Sequence, residues 1–291
     1  VTELLRALAV LCEAPVRATA AVTNALGLTL PTPDEYTDAF LFQLYPYASV
    51  YLGAEGMIGG EARDRIAGFW RALHLTPPAD PDHLAALLGL YVSLGEREAS
   101  EPAGTARRIL VRQARKALLW EHLLSWLPAY LDHMEVLAAT SYRRWAGLLR
   151  QALAAEAADL GPPDQMPRHL EEAPLLPDPR IEGADPFLAG LLAPVRTGFI
   201  LVRTDLARAA RDLGLGLRLA ERSYTLRALL GQDREATLAW LAGEALRATG
   251  AHRLEHPFAP VTGFWRERAA AGAALLEDLS QAAKEAAHVG R

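Results

Sequence analysis

Cysteine is almost missing from this chain: Cys12 stands alone among 291 residues. One thiol closes no internal disulfide and builds no multi-cysteine zinc or iron–sulfur site, which suits a reducing compartment and leaves metal chemistry to histidine and carboxylates. Lysine is nearly absent, with only Lys116 and Lys284 among 30 basic side chains set against 35 acidic ones. The resulting net charge of −5 makes non-specific attraction to phosphates weak. Hydrophobic runs are short as well. The best of them, Phe187 to Val195, contains Gly190 and Pro194 and falls far below the roughly 18 apolar residues of a membrane span. At the N-terminus, apolar Ala7 to Cys12 followed by Ala18-Thr19-Ala20 has some look of a secretory signal, but Glu3 and Glu13 flank it, and it reads as the first helix of a cytoplasmic protein.

Alternating Val/Ile/Thr segments bounded by turn pairs are also lacking, so little or no sheet is expected. What is there is Ala, Leu and Arg at a helical period. Leu84, Leu87, Leu88, Tyr91 and Leu94 mark one stripe, and Leu188, Leu191, Leu192, Val195, Phe199, Val202 and Leu206 mark a longer one. The pattern predicts an all-α protein with helices near 2–13, 16–26, 35–51, 59–74, 81–95, 104–133 and 135–159, then 186–213, 219–230, 232–249 and 258–288. Seven of the 19 prolines fall between Gly161 and Pro186, where no helix can run through. The chain therefore divides into a helical domain over 1–160 (net −4), a proline-rich linker over 161–184 (net −3) and a smaller helical domain over 185–291 (net +2).

Catalytic templates fail. There is no Gly-x-Ser-x-Gly elbow and no phosphate loop, and Gly56, Gly59 and Gly60 lack the preceding strand of a dinucleotide site. His252-Arg253-Leu254-Glu255-His256 has the spacing of a zinc hydrolase, with Glu277 as a candidate third ligand. Pro257 follows at once and pushes His256 out of helical geometry, so a helix end is the preferred reading. Ala210 and Gly214 have helix-turn-helix spacing, and Arg196, Arg203, Arg208, Arg211, Arg218 and Arg222 give a DNA-binding regulator as the alternative function. Asp205, Asp212 and Glu221 interrupt that stripe, and a solvated, ion-paired helix face explains it better.

Two segments ask for more. In Asp80-Pro81-Asp82-His83, Asp80 fits an N-cap, Pro81 the first helical position and Asp82 the positive end of the dipole, but an imidazole there gains nothing from the dipole and asks for a partner or ligand. Large amphipathic rings gather in Tyr45-Pro46-Tyr47-Ala48-Ser49-Val50-Tyr51-Leu52-Gly53 and in Trp120 to Tyr130. Core packing explains most such rings, yet Pro128 should kink its helix and open backbone carbonyls beside Trp126, leaving an aromatic wall for another chain.

With Ser49-Val50-Tyr51-Leu52-Gly53, Pro81-Asp82-His83-Leu84 and His122 to Pro128 in that order, the sequence resembles the TorD/DmsD/NarJ family of molybdoenzyme maturation chaperones over about residues 1–160. Ala79-Asp80 stands where many members carry a Glu before the hinge proline. The resemblance implies a non-catalytic, cytoplasmic helical-bundle chaperone, without cofactor or metal, that binds the twin-arginine signal peptide of an apo molybdenum oxidoreductase and holds it from export until the molybdopterin cofactor is inserted. Its partners would be that client and its leader, with no nucleic acid and no membrane insertion, and a homodimer is left open. A pair of arginines followed by an apolar helix needs carboxylate beside a hydrophobic groove. Asp82 and His83 are the expected charged lip, with Tyr47, Tyr51, Tyr91, Trp126, Pro128 and Tyr130 as groove walls. The domain beyond the linker is not explained by the resemblance.

Overall fold

Local stop and start signals cut the chain into more helices than periodicity alone suggests. The computed structural model describes residues 1–217, 220–252 and 257–289. In order these form α1 Thr2–Val10, α2 Arg17–Ala25, α3 Pro33–Tyr36 continuing as a π-helical turn Thr37–Gln43, α4 Ala48–Leu52, α5 Gly60–Ala72 and α6 Leu84–Ser100. There follow α7 Ala106–Ala117 continuing as π-helical Leu118–Leu123, α8 Leu127–Leu137, α9 Thr140–Leu160, α10 Arg168–Glu171 and α11 Ala184–Leu191. The rest are α12 Pro194–Thr197, α13 Arg203–Leu213, α14 Arg222–Gln232, α15 Arg234–Ala251 and α16 Ala259–Val289. The chain is all-α; among the described residues the only β pairing is one isolated antiparallel bridge, Tyr47 to His83. No described helix is long and apolar enough to cross a membrane.

Caps explain many of the boundaries. Thr32 and Glu35 close a capping box on α3, Thr105 accepts from Arg108 N at 3.2 Å on α7, and Asp233 accepts from Ala236 N at 2.9 Å on α15. Pro46 ends the expected 35–51 helix, and the expected 104–133 helix breaks at residues 124–126. Pro128 is therefore not a mid-helix kink. It sits in the first turn of α8, where its missing N–H is one the helix would leave unpaired anyway.

The Leu84–Leu94 stripe is buried as expected, against α1 and α7. The longer stripe is not one helix. Pro194 and a left-handed Gly198 (φ 75°) interrupt it, and residues 199–202, which belong to no helix, pass between two cores. Ile200 and Val202 enter the core built mainly from the first 160 residues, while Phe199 and Leu201 enter a second core shared by α11, α13, α14, α15 and α16. The alternation is the period of an extended strand, hidden in a sequence whose neighbours read helical.

The two cores are joined more tightly than a free linker implies. α16 contributes Val261 and Trp265 to the first core and Ala273, Leu276 and Leu279 to the second. Leu170 of the proline-rich segment lies in the first core and Leu176 in the second. Prolines there remove donors, and arginines take up the carbonyls: Arg268 donates to Ala173 and Pro174, and Arg196 to Leu175 and Ala54.

Candidate peptide-binding site

The bridge between Tyr47 and His83 pins the tyrosine segment to the hinge. Ala48 N donates to Asp82 O at 3.0 Å and Leu84 N to Pro46 O at 2.8 Å, the pattern of a non-hydrogen-bonded antiparallel pair, in which facing side chains come closest. The Tyr47 and His83 rings meet edge to face, 4.9 Å between centroids. His83, not Asp80, is the N-cap of α6: its Nδ1 accepts from Ala85 N at 3.2 Å, which requires a neutral ring with the proton on Nε2. That is the partner the imidazole asked for. Burial lowers the His83 pKa, against the opposing pull of Glu13, Asp80 and Asp82.

Asp82 does a different job from the one expected of it. It is only 1% exposed, and its Oδ2 accepts from Ser49 N at 3.2 Å in the first turn of α4. A buried, helix-capping carboxylate is not a lip for an incoming arginine. Its Oδ1 has no hydrogen-bond partner among the described residues. The charge at the surface comes instead from exposed Glu13, whose Oε1 lies 3.7 Å from His83 Nδ1, and from exposed Asp80. Trp70 Nε1 donates to Pro81 O at 3.3 Å and Arg63 to Ala79 O at 2.9 Å, fixing the hinge from α5. Sequence reasoning missed Glu13, Arg63 and Trp70; Glu13 is 70 residues from His83 along the chain and no local pattern marks it.

The other expected walls are core residues. Tyr51 stacks on Trp126 at 5.0 Å with an interplanar angle of 10°, and Tyr130 packs edge-on to both. All three are at most 2% exposed. Their polar ends are satisfied inside: Tyr51 OH donates to Tyr45 O at 2.9 Å, Tyr130 OH to Leu44 O at 3.3 Å and Trp126 Nε1 to His122 O at 2.9 Å. Tyr91 is equally buried, donating to Glu156 at 2.5 Å. Pro128 is buried too. The carbonyl that the break before it frees, Ser125 O, accepts from Trp265 Nε1 of α16 at 2.9 Å, so the opening expected beside Trp126 is filled by this chain's own tryptophan. Of the eight residues expected to bind peptide, only Tyr47 and His83 reach the surface, side by side.

Both aromatic segments are entered through π-helical turns, with Leu44 N bonding Ala39 O and Leu124 N bonding Leu119 O, each at 2.7 Å. Such widened turns recur at functional sites. The second contains His122; it and His169 are both held neutral by burial first and by the Arg65 guanidinium second, and both are pushed down to about 3. Because this lies below the ordinary 6.5, the unfolded chain takes up the extra proton and stability drains away as pH falls from about 6.5 toward 3. Fully buried His122 alone should cost about 2 kcal/mol at pH 5 relative to pH 8. Urea titrations of His122→Gln should show a shallower fall of stability over pH 8 to 5 than the native chain; parallel profiles would contradict the assignment.

Neither alternative function gathers support. Arg208 is engaged by Asp205 and Glu244, Arg196 by backbone carbonyls and Arg222 by Leu201 O, and the arginines belong to three helices; Arg218 lies outside the described residues. Gly214 caps α13, and the next helix begins only at Arg222, too long a turn for a helix-turn-helix. Of the zinc candidates, Glu255 and His256 lie outside the described residues, His252 Nε2 bonds Gly198 O at 2.7 Å, and Glu277 is exposed. No group of three or more His, Cys, Asp or Glu among the described residues could hold a metal ion.

Residues 5–132 match the family model described as nitrate reductase delta subunit. This part of the chain is similar to that family, which is of the NarJ/TorD type. The matched segment contains the tyrosine helix, the hinge and the break before Pro128. No curated protein and no solved structure matches the chain.

Proposed function

We propose that this chain is a cytoplasmic chaperone that binds the twin-arginine leader of an apo molybdenum oxidoreductase at the Tyr47–His83 pair and holds the client until its cofactor is inserted. The supporting observation is the pair itself: two half-buried rings at the meeting of the tyrosine segment and the hinge, rimmed by the exposed carboxylates of Glu13 and Asp80. Guanidinium groups pair with carboxylates and stack on aromatic rings, so arginines of a leader would find both partners at one place. Asp82 acts from behind by holding α4, and with it Tyr47, in position.

Calorimetry with a synthetic twin-arginine leader tests this. Native protein should bind one leader, and Glu13→Gln with Asp80→Asn, both at exposed positions, should weaken it about tenfold, with a salt-dependent loss. A native protein that gives no heat with the leader, or a double variant that binds as the native does, would sink the proposal. Asp82→Ala should act differently: loss of its cap should cost about 1 kcal/mol of stability in urea titration.

A further inference from the structure

A cavity of about 400 Å³ outside the proposed peptide site is lined by Arg203, Leu206, Leu217, Ala220, Arg222 and Thr225. It lies where the first turns of α13 and α14 meet: Arg203 and Arg222 each open an 11-residue helix, so two positive dipole ends converge with two guanidinium groups. The cations are close enough to repel. Burial above all lowers the Arg222 pKa, and the charge of Arg203 lowers it further, against a raising influence from Tyr51 and Tyr45.

Neither arginine has a carboxylate partner among the described residues. Arg203 lies over the Phe42 ring at 5.6 Å, and Arg222 donates to the Leu201 carbonyl at 2.8 Å. Asp205, two residues from Arg203, is turned away: it accepts from Val202 N and pairs with His133 and Arg208 in a different cavity. Glu221 precedes Arg222 but is exposed and makes no ion pair with it. By contrast, Arg208 of α13 is matched by Asp205 and Glu244, and Arg227 of α14 by Asp185. A half-buried cation facing a second cation costs stability unless an anion sits between them.

We infer that this cavity is a ligand site for a small organic anion, its phosphate or carboxylate held between Arg203 and Arg222 and its apolar body resting on Leu206, Leu217 and Ala220. The volume lies within the range of small-molecule sites. A polynucleotide would need a row of free cations, and the neighbouring arginines at 196 and 208 are already engaged.

The test is calorimetry of the full chain with phenyl phosphate, benzoate, benzyl alcohol and inorganic phosphate. Phenyl phosphate or benzoate should bind one to one, and their relative affinity tells which head group the site prefers; benzyl alcohol should not bind. Arg203→Ala, at an exposed position, should weaken the preferred anion at least about tenfold, while Arg211→Ala, exposed on the same helix, should leave it unchanged. The inference is overturned if neither organic anion binds, if the two arginine variants lose affinity equally, or if inorganic phosphate binds as tightly as phenyl phosphate.

Discussion

Gly198→Ala should cost at least about 4 kcal/mol and lower Tm by about 6 °C, far more than most single substitutions. Two costs combine. Its φ of 75° is disfavoured for any L side chain by roughly 1–2 kcal/mol. In addition, a Cβ there would lie 2.1 Å from Ala269 N and 2.6 Å from Ala269 Cα, both backbone atoms of α16 that cannot swing aside. The turn at Gly198 is where α16 crosses from one core to the other, and the Gly198 carbonyl also accepts from His252. Forcing α16 away would strip Trp265 from Ser125 O and open the first core as well. Gly214→Ala is the internal comparison, because φ is 66° there but no atom lies within 4 Å of the new methyl. It should cost only the backbone term, about 1 kcal/mol. Equal losses for the two variants in urea titration would show that the close approach of α16 is not what Gly198 serves.

That turn also shows where the sequence is silent. The helical class and the family likeness carried by the tyrosine, hinge and tryptophan segments are legible because periodicity, proline placement and motif order are local signals. Which face of an element meets which neighbour is not local. Phe199, Ile200, Leu201 and Val202 are four consecutive apolar residues; only the presence of a core on each side makes their alternation meaningful. Pro128 suggests opened carbonyls from its own sequence, but the group that fills one of them, Trp265, comes from 140 residues away. The same holds for the surface of the site. Asp82 is the carboxylate a reader of the hinge would choose, yet tying α4 to α6 draws it inside, and the exposed acid near His83 arrives from the segment after α1.

Arg115→Ala should cost about 3–5 kcal/mol, because it would leave the buried Glu156 carboxylate without a cation and nearby Glu98 with only the more exposed Arg112. Arg115 is shared among three helices: Nη1 donates to Glu98 Oε2 of α6 at 2.6 Å, Nη2 to Glu156 Oε2 of α9, and Nε to Tyr91 OH at 3.2 Å. Glu98 and Glu156 are 4% and 7% exposed. Tyr91 closes the circuit by donating to Glu156 at 2.5 Å, and burial together with that carboxylate holds its hydroxyl protonated. Arg112 adds a second cation at Glu98, 3.0 Å away, but it is more exposed and its other partner is Asp159, not Glu156. The cost of truncation is therefore not the worth of the network. Bringing these ions out of water is itself unfavourable, and well-packed apolar replacements can do as well as the paired ions. The triple variant Arg115→Met, Glu98→Leu, Glu156→Leu should consequently recover most of what Arg115→Ala loses, with Tyr91 OH left to bear a residual cost of about 1–3 kcal/mol. Urea titration of the two variants decides it. If Arg115→Ala is no less stable than the triple variant, the carboxylates are solvated or protonated without it, and the α6–α7–α9 junction rests on its leucines alone.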